Sequence, residues 1–542
     1  MDHLRSVGEG IARGDRPGGF AAWIEAGAER VMAAWSRRSP VAISTAALMC
    51  ILAVEFCLLA SNARQLRFWY DELLTLHYAS LRPFSATVDA LLAGKDMMTL
   101  AFMAVMSAAA GLPGDIHINL RLPTIAGYLL TLAGVFYFTR RRIGGAWAVA
   151  AVLFIALSPF RSFAIEARPY AMVTGFLAVA AVGWQMLGER RWAAPLMYVF
   201  FLMSVATHYF AGMLIACLAG AEAVYALRER RARWSVWGLA AAAALLVSLQ
   251  APLILHTRTE YSGSEAYNPP LERILVTYKN YLAVEINHAV LIVALAVTVL
   301  LALMAERWRR EAARAESGGG FSAPELALAL MLTLYPAMVV TMTIIAHTWY
   351  LPRYAWPVIV GLAILWGIIC SSIKVRLVAA ALMASMVLAF SLQTAKDLGR
   401  MISGATERMQ KGGQSPPGLD GAARAYPGHE VVVADPKAFV EMSYYSGHGL
   451  NGRLAQLLMP DGRLGALSES VPDRANRLLS SVIPLRVREA DAFVETHREF
   501  ILYAAGTGRP SWVLGYLEER GYTFRSVKGA PGGGVLLASR GE

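Results

Sequence analysis

The chain has 542 residues, of which 56% are apolar and only 16% charged, against roughly 25% charged in soluble globular proteins. With a mean hydropathy of +0.45, a soluble chain of this composition could not cover its surface. Disordered, collagen-like and disulfide-scaffold classes are excluded, and a polytopic α-helical membrane protein is predicted. Lys and Arg number 50 against 39 Asp and Glu, a net charge of +11. In a membrane protein such an excess marks cytoplasmic loops. No basic cluster is interleaved with exposed aromatics, so no nucleic-acid partner is expected.

Residues 1–39 are polar and Gly/Arg-rich, with a weak helical period from Phe20 to Arg38, and read as a cytoplasmic segment lying on the membrane surface or as a tail. A spanning helix needs about 20 apolar residues. About eleven candidates occupy 40–60, 121–139, 145–160, 169–187, 192–207, 209–227, 235–254, 286–305, 324–346, 354–372 and 376–393. Cys50, Cys57, Cys217 and Cys370 sit in these apolar runs without metal-ligand spacing and read as small core side chains. Basic clusters recur at every second loop: Arg140 to Arg142, Arg190 and Arg191, Arg228 to Arg233, Arg307 to Arg314, and Lys374 with Arg376. That pattern predicts a cytoplasmic N-terminus and, with an odd span count, an outer C-terminus.

Three longer segments then fall on the outer face. The first outer loop, 61–120, contains an amphipathic stretch from Asp71 to Phe84 and an apolar one from Met97 to Gly111, each read as an interfacial helix or, for the second, a re-entrant half-span. The loop from His256 to Glu285 carries Tyr261, Tyr267 and Pro269-Pro270. After the membrane part (40–393), residues 394–428 read as a linker, Gly/Pro/Ser-rich from 403, and 429–542 as a soluble α/β domain. Its strands are expected at Val431 to Ala434, Phe500 to Tyr503 and Val535 to Leu537, with helices from Pro436 and over Trp512 to Arg520. Gly506-Thr507-Gly508 reads as a plain turn.

The predicted topology gathers four scattered clusters on one face. They are Phe68-Trp69-Tyr70-Asp71-Glu72, Glu166-Ala167-Arg168-Pro169-Tyr170, Thr207-His208-Tyr209 and Trp349-Tyr350-Leu351-Pro352-Arg353-Tyr354. Each has a structural explanation alone: acids favour a helix N-terminus, and aromatics and snorkelling Arg favour the interface. Charged groups at the bilayer centre cost about 2.5–3.5 kcal/mol or more, so their collection near span ends points to a polar outer cavity. A carboxylate there can take a proton from an attacking hydroxyl, and Arg can hold a phosphate.

With Leu120-Arg121-Leu122-Pro123 added, the order of these motifs over residues 40–370 resembles the bacterial membrane glycosyltransferases of the GT-C fold, in the protein-mannosyltransferase-like, aminoarabinose- and galacturonosyltransferase-like branch. The resemblance implies an inverting transfer of sugar from a polyprenyl-phosphate-linked donor to a periplasmic acceptor (a glycolipid such as lipid A, a polysaccharide or a protein) by an inner-membrane enzyme. Carried over, Asp71 is the catalytic base and Glu72 supports it or orients the acceptor. Arg168, Arg353, Tyr354 and Lys95 hold the donor phosphate, and Tyr70, Glu166, Tyr170, His208 and Tyr209 line the substrate pocket. Many relatives carry prolines and aromatics at the second loop helix, where this chain has Lys95-Asp96-Met97-Met98-Thr99-Leu100. A divalent cation is therefore open, as are two rival readings: a flippase for a lipid-linked saccharide, with Glu55 and Glu222 as intramembrane acids, and a non-catalytic envelope-assembly subunit.

Overall fold

The computed structural model describes residues 40–260, 272–282, 321–346, 350–373, 375–411, 418–446, 450, 452–459, 471–504, 512–527 and 534–541. The N-terminal segment, the span expected at 286–305 and the Gly506-Thr507-Gly508 turn lie outside the described residues.

Among the described residues the membrane part is helical, with no strand. α1 (Pro40–Gln65) leads into three helices of the 61–120 loop, α2 (Tyr70–Ala79), α3 (Phe84–Leu92) and α4 (Leu100–Ala110). α5 (Ile116–Ile143) and α6 (Gly145–Ala156) follow, then a 3₁₀ turn at Pro159–Ile165, α7 (Tyr170–Gln185), α8 (Ala193–Thr207) and a second 3₁₀ turn at Tyr209–Met213. Next come α9 (Leu214–Glu229), α10 (Trp234–Leu249), α11 (Ala251–Glu260), α12 (Glu272–Leu282), α13 (Ala323–Thr333) and α14 (Tyr335–Ile345). A third 3₁₀ turn, Pro352–Ala355, precedes α15 (Val358–Ser371) and α16 (Arg376–Lys411).

Among the described residues five helices are long and apolar enough to cross a membrane: Val41–Gln65, Ile116–Ile143, Tyr209–Glu229, Trp234–Thr257 and Leu377–Ser403. Two bent pairs raise this to seven, Gly145–Ala156 with Pro159–Ile165 (68°) and Ala323–Thr333 with Tyr335–Ile345 (52°). Proline lies at both bends, Pro159 and Pro336, where a missing amide breaks the helical ladder. The segments expected at 169–187, 192–207 and 354–372 are helices of 16, 15 and 14 residues, below the roughly 20 a straight crossing needs. α16 also departs from expectation. It runs on through 394–411, read as linker, and the first strong breakers after it are Gly412-Gly413 and Pro416-Pro417.

The core of the membrane part is the crossing of α5 and α7. Glycines let the two backbones touch. A Cβ built on Gly175 would stand 2.1 Å from the Gly127 carbonyl oxygen, and one on Gly134 would stand 2.7 Å from Ala178. α4 packs beneath α2 and against α5 and α8, so the loop helices are integrated into the protein. Buried ion pairs staple distant helices together. Arg161 reaches Glu55 of α1 at 2.7 Å and Asp397 of α16 at 2.6 Å. Arg233 holds Glu222 at 2.5 Å, and Arg142 holds Glu325 at 2.9 Å.

After the short α17 (Leu419–Ala425), the C-terminal region is an α/β layer: β1 (Val431–Val433), α18 (Pro436–Tyr445), β2 (Leu454–Leu458), α19 (Val471–Ser480), β3 (Val487–Glu489), α20 (Ala490–Thr496), β4 (Glu499–Tyr503), α21 (Trp512–Glu519), β5 (Tyr522–Ser526) and β6 (Val535–Arg540). The sheet order is β3-β2-β1-β4-β6-β5, parallel except for β6, which is antiparallel to both neighbours. The three expected strands and two expected helices are present; β2, β3 and β5 are additional. β1 is buried at all three positions because helices cover both faces of a parallel strand.

The glycine contact gives a direct stability test. Gly175→Ala should overpack the α5–α7 crossing and lower stability by about 1–3 kcal/mol. Gly399→Ala, with open space around its Cβ, should be neutral or slightly stabilising. Thermal unfolding of the purified protein distinguishes the two; equal melting temperatures would mean the helices do not touch there.

Candidate active site

The acidic pair opens α2. Its two members face different environments. Glu72 is 1% exposed at its side chain and is locked to Arg121 of α5, whose Nη2 stands 2.6 Å from Oε2 and whose Nε donates to Oε1 at 2.7 Å. Glu72 also accepts from the amides of Ala167 (2.8 Å) and Trp69 (3.3 Å). Arg121 spends its remaining N–H groups on the carbonyls of Ala63, Leu66 and Arg67 at 2.7–2.9 Å. The pair joins the end of α1, the start of α2, α5 and the 166–168 turn in one saturated network. Arg121, quoted in a motif but given no role by sequence, could have been flagged only by the rarity of an Arg so deep in an apolar run.

Asp71 turns to the other side, toward two arginines. Arg353 Nη2 lies 2.6 Å from Asp71 Oδ2, and Arg168 Nη2 lies 3.9 Å from the same oxygen. The Arg353 contact is an ion pair by distance but off hydrogen-bond angle, so Asp71 Oδ2 has no hydrogen-bond partner among the described residues. Arg168 Nη1 instead donates to the Asp71 carbonyl (3.2 Å) and Thr75 Oγ1 (3.1 Å). The Arg353 guanidinium rests over Trp69 and Tyr170, 5.3 and 5.9 Å from the ring centroids. Around this cluster Arg168 Nε, Arg353 Nε, Tyr170 Oη and Trp69 Nε1 are buried donors without hydrogen-bond partners among the described residues. A buried polar group left unpaired costs about 1–3 kcal/mol. Four around one carboxylate make a site prepared for an acceptor-rich, anionic ligand.

Two more acids adjoin the cluster. Burial, reinforced by the Glu72 charge, pushes the Glu166 carboxyl up to about 7, while Arg353 and Arg168 pull it down. Burial raises Asp96 to about 6 against the opposing pull of Arg168 and of the Met98 amide. Asp96 Oδ1 accepts from that amide at 2.7 Å. Lys95 is half-buried beside it, its carbonyl accepting from Tyr78 Oη at 2.8 Å.

The aromatic residues divide. Tyr354 packs on Phe210 (4.8 Å), His208 (5.3 Å) and Tyr170 (6.2 Å), which brings three of the four sequence clusters into contact. His208 Nδ1 accepts from the Phe210 amide at 3.3 Å. Tyr209 points to the 61–120 loop, donating to the Met98 carbonyl at 3.2 Å. Tyr70 does not join them: its Oη donates to Asn476 Oδ1 of α19 at 3.0 Å, in the C-terminal region. Among the described residues no three His, Cys, Asp or Glu side chains converge as metal ligands. Asp71 and Glu72 face guanidiniums.

The raised Glu166 carboxyl fixes the sign of a pH effect. Between its ordinary value of 4.5 and about 7, the folded chain holds a proton that the unfolded chain has released. Stability should therefore fall as pH rises through that window and level off above it. Glu166→Gln should flatten that slope in thermal unfolding measured from pH 4.5 to 8; an unchanged slope would place the Glu166 carboxyl in ordinary surroundings.

No family model and no curated protein matches the sequence. Solved structures do. The crystal structure of ArnT from Cupriavidus metallidurans bound to undecaprenyl phosphate superposes with a TM-score of 0.53 at 14% identity, covering 92% of this chain and 99% of that one. Its apo form gives 0.53 at 13% identity over the same shares. Over nearly its whole length the chain therefore has the GT-C fold seen in ArnT.

Proposed function

We propose that the protein is a polyprenyl-phosphate-dependent glycosyltransferase whose reaction takes place at the Asp71–Arg168–Arg353 cluster. The observation that carries this reading is the cluster itself: one carboxylate between two guanidiniums, ringed by four buried donors without partners. The fold shared with ArnT, crystallised with undecaprenyl phosphate, supports a lipid phosphate as the anion. The positive-inside pattern supports an outward-facing site, a cytoplasmic N-terminus and an outer, soluble α/β domain. The short buried helices α7, α8 and α15 add to the seven apolar spans in a multi-pass bundle in the inner membrane of a bacterium.

In the proposed step the acceptor hydroxyl attacks the anomeric carbon of the donor from the face opposite its phosphate. The new glycosidic bond forms as the bond from the anomeric carbon to the phosphate oxygen breaks, inverting the centre, and polyprenyl phosphate leaves. Arg353 and Arg168 hold the departing phosphate through charged hydrogen bonds. Asp71 takes the hydroxyl proton. In the ligand-free chain Arg353 is paired with Asp71; when the phosphate draws the guanidinium away, the carboxylate is freed to meet the acceptor hydroxyl. Donor binding thus prepares the base. Tyr170 and Tyr354 wall the pocket with His208, and Glu166, titrating near neutrality, is placed to exchange a proton with an acceptor hydroxyl. Lys95, on the rim of the loop helices, adds positive charge for the phosphate, and Tyr209 anchors that rim. Glu72 acts indirectly, by fixing α2. The flippase reading loses its two intramembrane acids, because Glu55 and Glu222 are each bound to an arginine, Arg161 and Arg233.

The reading is tested with purified protein in nanodiscs supplied with polyprenyl-phosphate-linked sugars and a periplasmic acceptor. The wild type should release polyprenyl phosphate and form a glycosylated acceptor. Asp71→Asn should lower kcat at least about 100-fold, and Arg353→Ala should weaken donor binding as well as turnover. Transfer by Asp71→Asn at the wild-type rate would remove Asp71 as the base.

A further inference from the structure

α2 begins on a residue that cannot cap it. Trp69 stands at the N-cap in extended backbone (φ −86°, ψ 173°), and an indole offers a donor but no acceptor. The amides at a helix start have no partner within the helix and must find one elsewhere. Here the Trp69 amide returns to Glu72 Oε2 at 3.3 Å. Its two neighbours reach outside the membrane part. The Tyr70 amide donates to Glu441 Oε1 at 3.0 Å, and the Phe68 amide donates to Tyr445 Oη at 2.6 Å.

Glu441 and Tyr445 both belong to α18, the first helix of the α/β region, and their side of α18 follows α2 closely. Arg67 lies 4.6 Å over the Tyr445 ring, and Tyr444 meets His77 in the last turn of α2 edge-on at 6.0 Å. A second connection runs through the Tyr70 side chain. Tyr70 Oη donates to Asn476 Oδ1 (3.0 Å), and Asn476 Nδ2 donates to Gln456 Oε1 on β2 (2.7 Å) and to the Pro436 carbonyl (2.7 Å). Gln456 Nε2 donates to Asp473 Oδ1 at 2.8 Å. A buried hydrogen-bonded chain therefore leads from the residue beside Asp71 into the sheet.

We infer that the α/β region is the N-terminal cap of the Asp71 helix, and that Glu441 and Tyr445 are positioning residues for sugar transfer; this rests on the role proposed for Asp71. A carboxylate at a helix N-terminus satisfies an orphan amide and matches the helix dipole. Without these acceptors the first turn of α2, which carries Asp71, frays. Displacing a reacting group by about 1 Å costs on the order of 100-fold in rate. The phosphate-holding arginines start from other elements, Arg353 on the third 3₁₀ turn and Arg168 ahead of α7, and although Arg168 also donates to the Asp71 carbonyl and Thr75 on α2, the loss falls more on kcat than on donor affinity.

The test uses the full-length protein in nanodiscs and three variants, Glu441→Ala, Glu441→Gln and Tyr445→Phe. Two quantities are read: hydrogen–deuterium exchange of the amides from Phe68 to Glu72, and kcat with KM for a polyprenyl-phosphate-linked sugar. Glu441→Ala and Tyr445→Phe should each speed exchange at these amides about tenfold and lower kcat about five- to tenfold, with donor KM within about twofold. Glu441→Gln, whose amide oxygen still accepts, should stay near wild type in both. Unchanged exchange in both Glu441→Ala and Tyr445→Phe would overturn the cap, as would Glu441→Gln proving as damaging as Glu441→Ala. Tyr445→Phe removes only a hydroxyl and decides the matter if Glu441→Ala does not fold. A wild type that transfers no sugar yet shows the expected exchange pattern would overturn the transferase reading while upholding the cap. Asp71-dependent transfer with unchanged exchange would do the reverse.

Discussion

The ion pair between Glu72 and Arg121 organises the end of the bundle that holds the candidate site. Both side chains are almost fully enclosed, at 1% and 2% exposure, where a carboxylate and a guanidinium are tolerated only if nearly every donor and acceptor is used. They are used here: Arg121 reaches three carbonyls, one in the last turn of α1 and two just beyond it, and Glu72 takes two amides, one at the start of α2 and one in the 166–168 turn. Removing either partner alone strands a buried charge, a change of about 3–5 kcal/mol in comparable cases. With Glu72 consumed in this way, the residue before it in the chain is left facing another direction. Asp71 meets Arg353 and Arg168 because Glu72 is anchored behind it.

Saturation separates the structural charges from the reactive ones. Glu222 is held by Arg233 through several hydrogen bonds and by Trp184, and Glu325 by Arg142, Gln185 and Ser322. These groups join helices. Arg161 bridges α1 and α16 in the same way, leaving over one oxygen of Glu55 and one nitrogen of its own. Around Asp71 the balance is different: the unpartnered atoms are mostly donors and lie around a single carboxylate. The polarity retained there goes beyond what holding the helices requires, and in the proposed reaction a phosphate ester would supply the missing acceptors.

Much of this was legible in the sequence. The apolar excess gave the membrane class, and the positions of Asp71, Glu166, Arg168, Arg353 and Tyr354 could be grouped once the basic loops were used to sort the faces. The strands at 431–433 and 499–503 announced themselves as short β-branched and aromatic runs between breakers. What remained hidden depends on separation along the chain or on packing. Arg121 lies 49 residues from Glu72, and Glu441 lies 371 residues from the amide it accepts; no local pattern reports such partners. That the runs at 169–187, 192–207 and 354–372 form helices of only 14 to 16 residues was also hidden, because hydropathy marks an apolar run and not where its helix ends. β2, Leu454–Leu458, is buried at all five positions and shows no alternation, so its period was silent.

The central claim is that Asp71 and the two arginines form the phosphate end of the donor site, with Arg353 passing from the carboxylate to the phosphate on binding. A cryo-electron-microscopy structure of the full chain in nanodiscs with polyprenyl phosphate tests it most directly. The account predicts phosphate density within hydrogen-bond distance of Arg168 and Arg353, and an Arg353–Asp71 separation longer than the present 2.6 Å. Phosphate bound at another face, with the Arg353–Asp71 contact unchanged, would contradict it.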